Sequence, residues 1–355
     1  MLEFQDEARA YDAFVDRFSD GLPIVLPTPQ RVAAMLRGSA EDADDVLGHV
    51  YPSGNALTVR DAATNAVLAG ATPAQFRIVT AALEALLDER FNLNGVQSTT
   101  HCATPLVIVS GPLAARAGLA AGNNVLGNGH RGNLAVGRTL RLVMTNAGGG
   151  RPGETDMAVQ GTPAKLSFCV AERLDANAFP SLAQRQGGAP DETSVTVMAA
   201  DGPITVGDHR SATPERLLRN VADTLAHTGS LNAALPTQAA LLLAPQHARV
   251  IASAGWSVAD VQRYLFERAR NPLWRLREAG EWDPEKSPAS CARFGDATDP
   301  ELRVPVLDAP ERLIVAVTGG DSGGFSSVVT SWPASTPVVR FIDDDGSYSR
   351  PRALR

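Results

Sequence analysis

Between Phe91 and Gly153 the chain contains no Asp, Glu or Lys. At the average acid frequency of the sequence, 39 in 355 residues, that stretch would carry about 7. Cysteine is scarce too: Cys102, Cys169 and Cys291 are isolated and form no C-x-x-C pair. This excludes a disulfide framework and a zinc ribbon, and it fits reduced thiols. Aromatic residues make up only 5% of the chain. With a net charge of −7, that argues against a nucleic-acid partner. No apolar run reaches the roughly 18 residues of a membrane span, which argues against a membrane partner. The opening MLEFQDEARAYDAF lacks the basic-then-apolar plan of a secretory signal, so a cytoplasmic protein is expected. H-x-E, H-E-x-x-H, P-loop and βα-turn G-x-G-x-x-G patterns are all missing, so no standard motif implies a cofactor or a structural metal.

What the acid-free stretch does contain is cationic and flexible. Its charges are Arg116, Arg131, Arg138, Arg141 and Arg151, set among GNNVLGNGHRGNLAVGR and TNAGGGRPG. Guanidinium groups, amides and glycine-exposed N–H donors without competing carboxylates are the ingredients of an anion pocket. The block is therefore expected to bind a small anionic substrate through Arg131, Asn133, Arg138, Asn146 and Arg151.

The apolar pattern predicts interleaved helices and strands. Helices are expected over residues 6–19, from Pro29, and over 58–70, 73–87, 134–145, 214–227, 245–254 and 257–270. Arg138 and Arg141 share one wedge of the 134–145 helix, joined by Arg131 if the helix extends back. Buried strands are expected over 106–109, 165–170, 239–244, 313–317 and 338–342, with a hairpin over 194–206 turning at Asp201-Gly202. This is an α/β or mixed α+β fold with two lobes. QRQGGAPD, residues 184–191, reads as the linker, so the lobes are expected at 1–187 and 188–355.

Several residue types carry chemistry. His101, beside three hydroxyls and a strand, suits proton transfer. Cys102 reads as a packed thiol. Lys165, Cys169 and Glu172 cluster near a strand end and would supply a cation, a thiol nucleophile and a carboxylate. A metal site, if present, would draw on His101, His130 and Asp156, with Glu172 as a further carboxylate. Gly319-Gly320-Asp321-Ser322-Gly323-Gly324 matches the nucleophile loop of trypsin-like proteases in letters only. The flanking Cys and Pro, the disulfides and the all-β spacing are missing. The loop is expected instead to close over a ligand through Gly319, Gly320 and Gly323, with Ser326 behind it and His101 and Arg131 in the same cleft. His247 reads as a cap or packing residue, and Cys291 as dispensable.

The segments GLPIVLPTPQRV, NAVLAGATPAQF, FNLNGVQSTTH, PLVIVSGP, HRGNLAVGRTLRL, GGGRPGETD, FCVAE, APQHARVIASAGWSVADVQRYL and VTGGDSGGFSS run in order over most of the chain. In this they resemble a bacterial family associated with UGSC-type (seleno)proteins. That resemblance implies thiol or selenol redox chemistry, in this chain or in a partner that carries the Cys-Gly-Ser-Cys pair, which is not found here.

Three functions follow as expectations. One is an enzyme, an oxidoreductase or lyase of sulfur or nitrogen metabolism, acting on a small anion. The second is a non-catalytic substrate-binding subunit for a dithiol, selenol or metalloprotein partner. The third is a metal-dependent lyase or hydrolase. A homo-oligomer is compatible with each.

Overall fold

Strands whose residues are apolar on both faces need cover on both, and that requirement shapes this molecule. The computed structural model describes residues 7–39, 41–282, 295–296, 298–342 and 348–349. Two mixed sheets stack face to face. The first has the order Tyr348–Ser349, Val338–Ile342, Thr193–Ala200, Thr104–Ser110, Cys169–Ala171. The second has the order Leu313–Val317, Ala239–Leu243, Phe325–Thr330, Ile204–Gly207. Alternate residues part to opposite sides, as the period of a strand demands. Val107 and Val109 face outward onto the helices Val59–Ala69, Pro73–Leu86 and Arg131–Asn146. Leu106 and Ile108 face inward, where Leu242, Ala240, Ile314 and Ala316 of the second sheet meet them. On the far side, Leu241, Leu243, Val315 and Val317 pack on the helices Pro214–Leu225, Pro245–Ser253 and Val258–Arg268. The result is a mixed α/β architecture layered helix, sheet, sheet, helix.

Most expected helices form, with their capping signals in place. Ser257 and Asp260 cap Val258–Arg268 reciprocally, and Pro73 opens its helix where a missing N–H costs nothing. Four expectations change. The 194–206 hairpin does not form: Thr193–Ala200 joins the first sheet and Ile204–Gly207 the second. The Asp201 N–H donates to the Thr330 carbonyl, and Pro203 cannot donate to a ladder, so the chain crosses between sheets there. The strand expected at 165–170 is Cys169–Ala171, because Thr162 caps a 3₁₀ turn at Pro163–Lys165. Residues 184–191 begin inside the helix Leu182–Arg185, capped by Ser181 and Gln184, and Arg185 donates to the Val315 carbonyl. The 187/188 division does not follow the sheets, since Thr193–Ala200 and Val338–Ile342 are hydrogen-bonded into the sheet of the first half. Cys291 lies outside the described residues. Among the described residues no helix is long and apolar enough to cross a membrane.

One ion network at the first sheet is pH-sensitive. Arg340 donates to Asp88 Oδ2 at 3.1 Å, and its Nε lies 3.8 Å from Glu84. Burial pushes the Glu84 carboxyl from its ordinary 4.5 to about 7; Arg340 opposes this and Glu41 adds to it. A carboxyl with a raised folded-state pKa binds its proton more tightly when folded. Its contribution is therefore fullest below the ordinary value and is lost as pH rises through about 7. Relative to wild type, Glu84→Gln should gain about 1–3 kcal/mol of stability between pH about 4.5 and about 8. Urea denaturation at the two pH values measures this, and a difference that does not change with pH would refute it.

Candidate functional site

The arginines of the acid-free block are directed onto the protein itself. Arg138 grips Asp20 in a fork, with contacts of 2.8 and 2.6 Å. Arg131 donates twice to the Gly70 carbonyl, at 3.1 and 2.9 Å, where its charge also complements the C-terminal end of Val59–Ala69. Arg151 donates to the Arg17 carbonyl. Asn133 accepts from the Ala120 N–H and donates to the Ala120 carbonyl, pinning the glycine-rich loop. Asn146 donates to the Phe18 carbonyl and to Asn65. His130 bonds the Asn123 carbonyl through Nε2 at 2.7 Å. Arg131, Arg138, Arg151 and Asn146 thus bond to carbonyls, an amide and an acid of other chain segments, whereas Asn133 and His130 bond within the block.

The glycine loop is also a packing device. Gly319, at φ +96, donates to the Ala121 carbonyl, and a Cβ on Gly320 would collide with Asn123. Arg173 holds the Gly319 carbonyl and Asp321 Oδ2. Ser326 is 1% exposed and His247 2%. The Ser326 hydroxyl donates to His247 Nδ1 at 2.7 Å and accepts from the Ala244 N–H, while His247 Nε2 donates to the Asp208 carbonyl. Burial lowers the His247 pKa, which favours this neutral, structural form. The loop therefore meets the 121–123 segment but not His101. It sits at the Val317 and Phe325 ends of the second sheet, whereas His101 lies at the Thr330 end, a strand length of roughly 17 Å away. The cleft expected to be shared with His101 is not formed.

Cys169 and Glu172 are likewise structural. Cys169 faces the core beneath the helices, and burial pushes its thiol up to about 12. At neutral pH almost none of it is thiolate, so it cannot serve as the expected nucleophile. Glu172 accepts from the Ser110 hydroxyl, the Leu182 N–H and Asn177, with Arg185 3.6 Å away.

A different group of residues does converge. Thr104 pairs with Ala200, and Ala200 bridges to Ser331, so three strand ends meet. Beyond them sit His101, Cys102 and Asp201. His101 Nε2 lies 3.4 Å from Asp201 Oδ1. The Thr330 hydroxyl holds the other Asp201 oxygen at 2.7 Å. His101 Nδ1 and Asp201 Oδ1 are shut from solvent and have no hydrogen-bond partner. The backbone is fixed on both sides: the His101 N–H donates to Thr99 Oγ1, and the Thr100 carbonyl accepts from the Val159 N–H.

Lys165 borders this group, and its charge acts on Cys102. It pairs with Asp156 at 2.6 Å, while Arg141 donates to the Lys165 carbonyl and to Thr104 Oγ1. Burial raises the Cys102 pKa, Asp201 raises it further, and Lys165 opposes both. Met157, Val159 and Leu166 leave an exposed apolar rim beside the charges.

The sequence singled out His101 and Lys165 separately, and it grouped Lys165 with Cys169 and Glu172 and not with Asp156. The metal trio of His101, His130 and Asp156 is not assembled. His130 stands at the N-terminal end of Arg131–Asn146, about 15 Å of helix away from Arg141, and Asp156 is taken by Lys165. Among the described residues the His, Cys and acid donors that come together are those of His101, Cys102 and Asp201, all within 4.8 Å of one another. Asp201 was read as a turn residue. The signal that could have found it is the register of two long apolar strands, which places the residue after one beside the residues before the other. A larger groove of about 750 Å³ runs along the Leu313–Val317 edge, lined by Arg185, Gln186, Gln262 and Arg312 among others. Among the described residues its lining holds no His or Cys.

Comparison of the chain with models of known protein families gives no match, and comparison with curated proteins gives none.

Proposed function

We propose that the protein is an enzyme that carries out acid–base chemistry of the lyase or hydrolase type on a small anionic substrate at the His101–Asp201–Lys165 cluster. The observation that carries this reading is the facing pair of His101 and Asp201, whose side chains are partly buried and whose Nδ1 and Oδ1 atoms have no hydrogen-bond partner. His101 is the proton-handling group, and Asp201, anchored by Thr330, places a carboxylate 3.4 Å from its ring. Lys165 supplies the cation for the anion, since Asp156 is its one ion-pair partner among the described residues. Thiol chemistry at Cys169 has no part in this reading, because that side chain is sealed in the core.

The test is a titration of the full chain with phosphate, sulfate, acetate, malonate and pyruvate, followed by calorimetry and by the His101 ring resonances. At least one anion should bind and shift the His101 ring. Lys165→Met should weaken that binding roughly tenfold or more, as loss of a half-buried charge contact does. Turnover of a bound anion or its ester should fall by about 100-fold or more in His101→Gln. The proposal fails if none of these anions moves the ring, or if Lys165→Met binds as tightly as wild type.

A further inference from the structure

We infer that His101, Cys102 and Asp201 form a three-ligand site for one zinc-type divalent cation. Geometry is the first ground. A tetrahedral ion with bonds of about 2.0–2.3 Å holds its ligand atoms about 3.3–3.8 Å apart. His101 Nε2 and Asp201 Oδ1 lie 3.4 Å apart without forming a hydrogen bond, and one donor atom of each of the three residues falls within 4.8 Å of the others. Satisfaction is the second. Asp201 has one oxygen bound by the Thr330 hydroxyl, the arrangement in which an outer partner orients a ligating carboxylate, and the inward oxygen has no partner. The third is the donor set. An imidazole nitrogen, a thiolate sulfur and a carboxylate oxygen suit zinc and its neighbours, whereas magnesium and calcium favour oxygen alone.

Charge agrees with the geometry. A thiolate and a carboxylate together balance the two positive charges of such an ion, and the thiol proton leaves to solvent. Adjacent residues 101 and 102 meet a strand end fixed by the Thr104–Ala200 pairing, so the three donors are held before the ion arrives. Three protein ligands leave a fourth position open, the pattern of a catalytic and not a purely structural ion. A water held there would become more acidic. The inference deepens the acid–base reading and rests on it for the substrate alone: proton handling passes to the ion-bound water, and Lys165 keeps its role toward the anion.

The experiment uses the full chain stripped of metal, then titrated with zinc(II) and with cobalt(II). One ion per chain should bind, and cobalt should show a thiolate charge-transfer band in the near ultraviolet. Cys102→Ser should abolish that band and, like Asp201→Asn, weaken zinc binding roughly tenfold or more. Cys169→Ser should retain the band. Should a variant fail to fold, the wild type still decides: zinc should slow alkylation of Cys102, read by peptide mass, by roughly tenfold or more. No bound ion, an affinity unchanged in both variants, or alkylation of Cys102 indifferent to zinc would each overturn the inference. Lys165-dependent anion binding without zinc binding would overturn the ion site and leave the acid–base reading standing. Zinc binding without anion binding would do the reverse.

Discussion

Glu172→Ala should cost about 3–5 kcal/mol of folding stability, the range for opening a buried, hydrogen-bonded charge pair. The side chain is fully enclosed, and three separate donors converge on it: the Ser110 hydroxyl, the Leu182 N–H and the Asn177 amide. Arg185 adds its charge at 3.6 Å. Alanine would strand all of them, and each unmet buried donor costs about 1–3 kcal/mol on its own. Ser110 ends a strand of the first sheet, and Arg185 reaches the Val315 carbonyl of the second, so the carboxylate ties the two sheets together. Glu172→Gln, which retains one acceptor, should lose less. Urea denaturation followed by circular dichroism gives both values. A loss under about 1 kcal/mol for Glu172→Ala would return this residue to the pool of catalytic candidates.

Arg138→Ala should destabilise the protein by about 3 kcal/mol or more while leaving anion binding unchanged. The side chains of Arg138 and Asp20 are only 14% and 6% exposed. Burial pushes the Asp20 carboxyl up, but the hydrogen bond and charge of Arg138 outweigh it and hold the group below its ordinary range. Removing the guanidinium leaves that burial uncompensated. The linkage follows: the depressed carboxyl contributes stability at neutral pH, and that contribution is lost as pH falls through the depressed range. Pairing Arg138→Ala with Asp20→Asn should recover part of the loss, because no charge is then left without a partner. A double-mutant cycle measures the coupling. Additive losses would show that the fork contributes nothing, and a large drop in anion affinity for Arg138→Ala would restore the arginine pocket.

The candidate site was only partly legible in advance. His101 and Lys165 carry their chemistry in their side chains and stood out among apolar and small neighbours. Asp201 did not, because Asp-Gly also reads as a turn, and only the pairing of Thr104 with Ala200 sets it beside His101. The arginines misled for a related reason. Helical phase says which side of Arg131–Asn146 each one leaves, but not which carbonyl or acid waits there. Asp20 and Gly70 are distant in sequence, and a guanidinium is satisfied as well by them as by a ligand.

By itself the sequence determined most of the elements. The apolar periods, the prolines at helix starts and the Ser257–Asp260 cap are local, acting within a turn or a strand, so they specify helices and strands wherever the rest of the chain goes. It also determined that strands such as Leu313–Val317 would be buried on both faces. Tertiary structure alone decided which faces those are, that Thr193–Ala200 and Ile204–Gly207 part company at Pro203, and that Arg131 and Arg138 bond to Gly70 and Asp20. Strand pairing and side-chain partnership are contacts between distant segments. Their energy depends on which groups are desolvated together, and that is settled only when two sheets close on one another and leave His101, Cys102 and Asp201 at the rim.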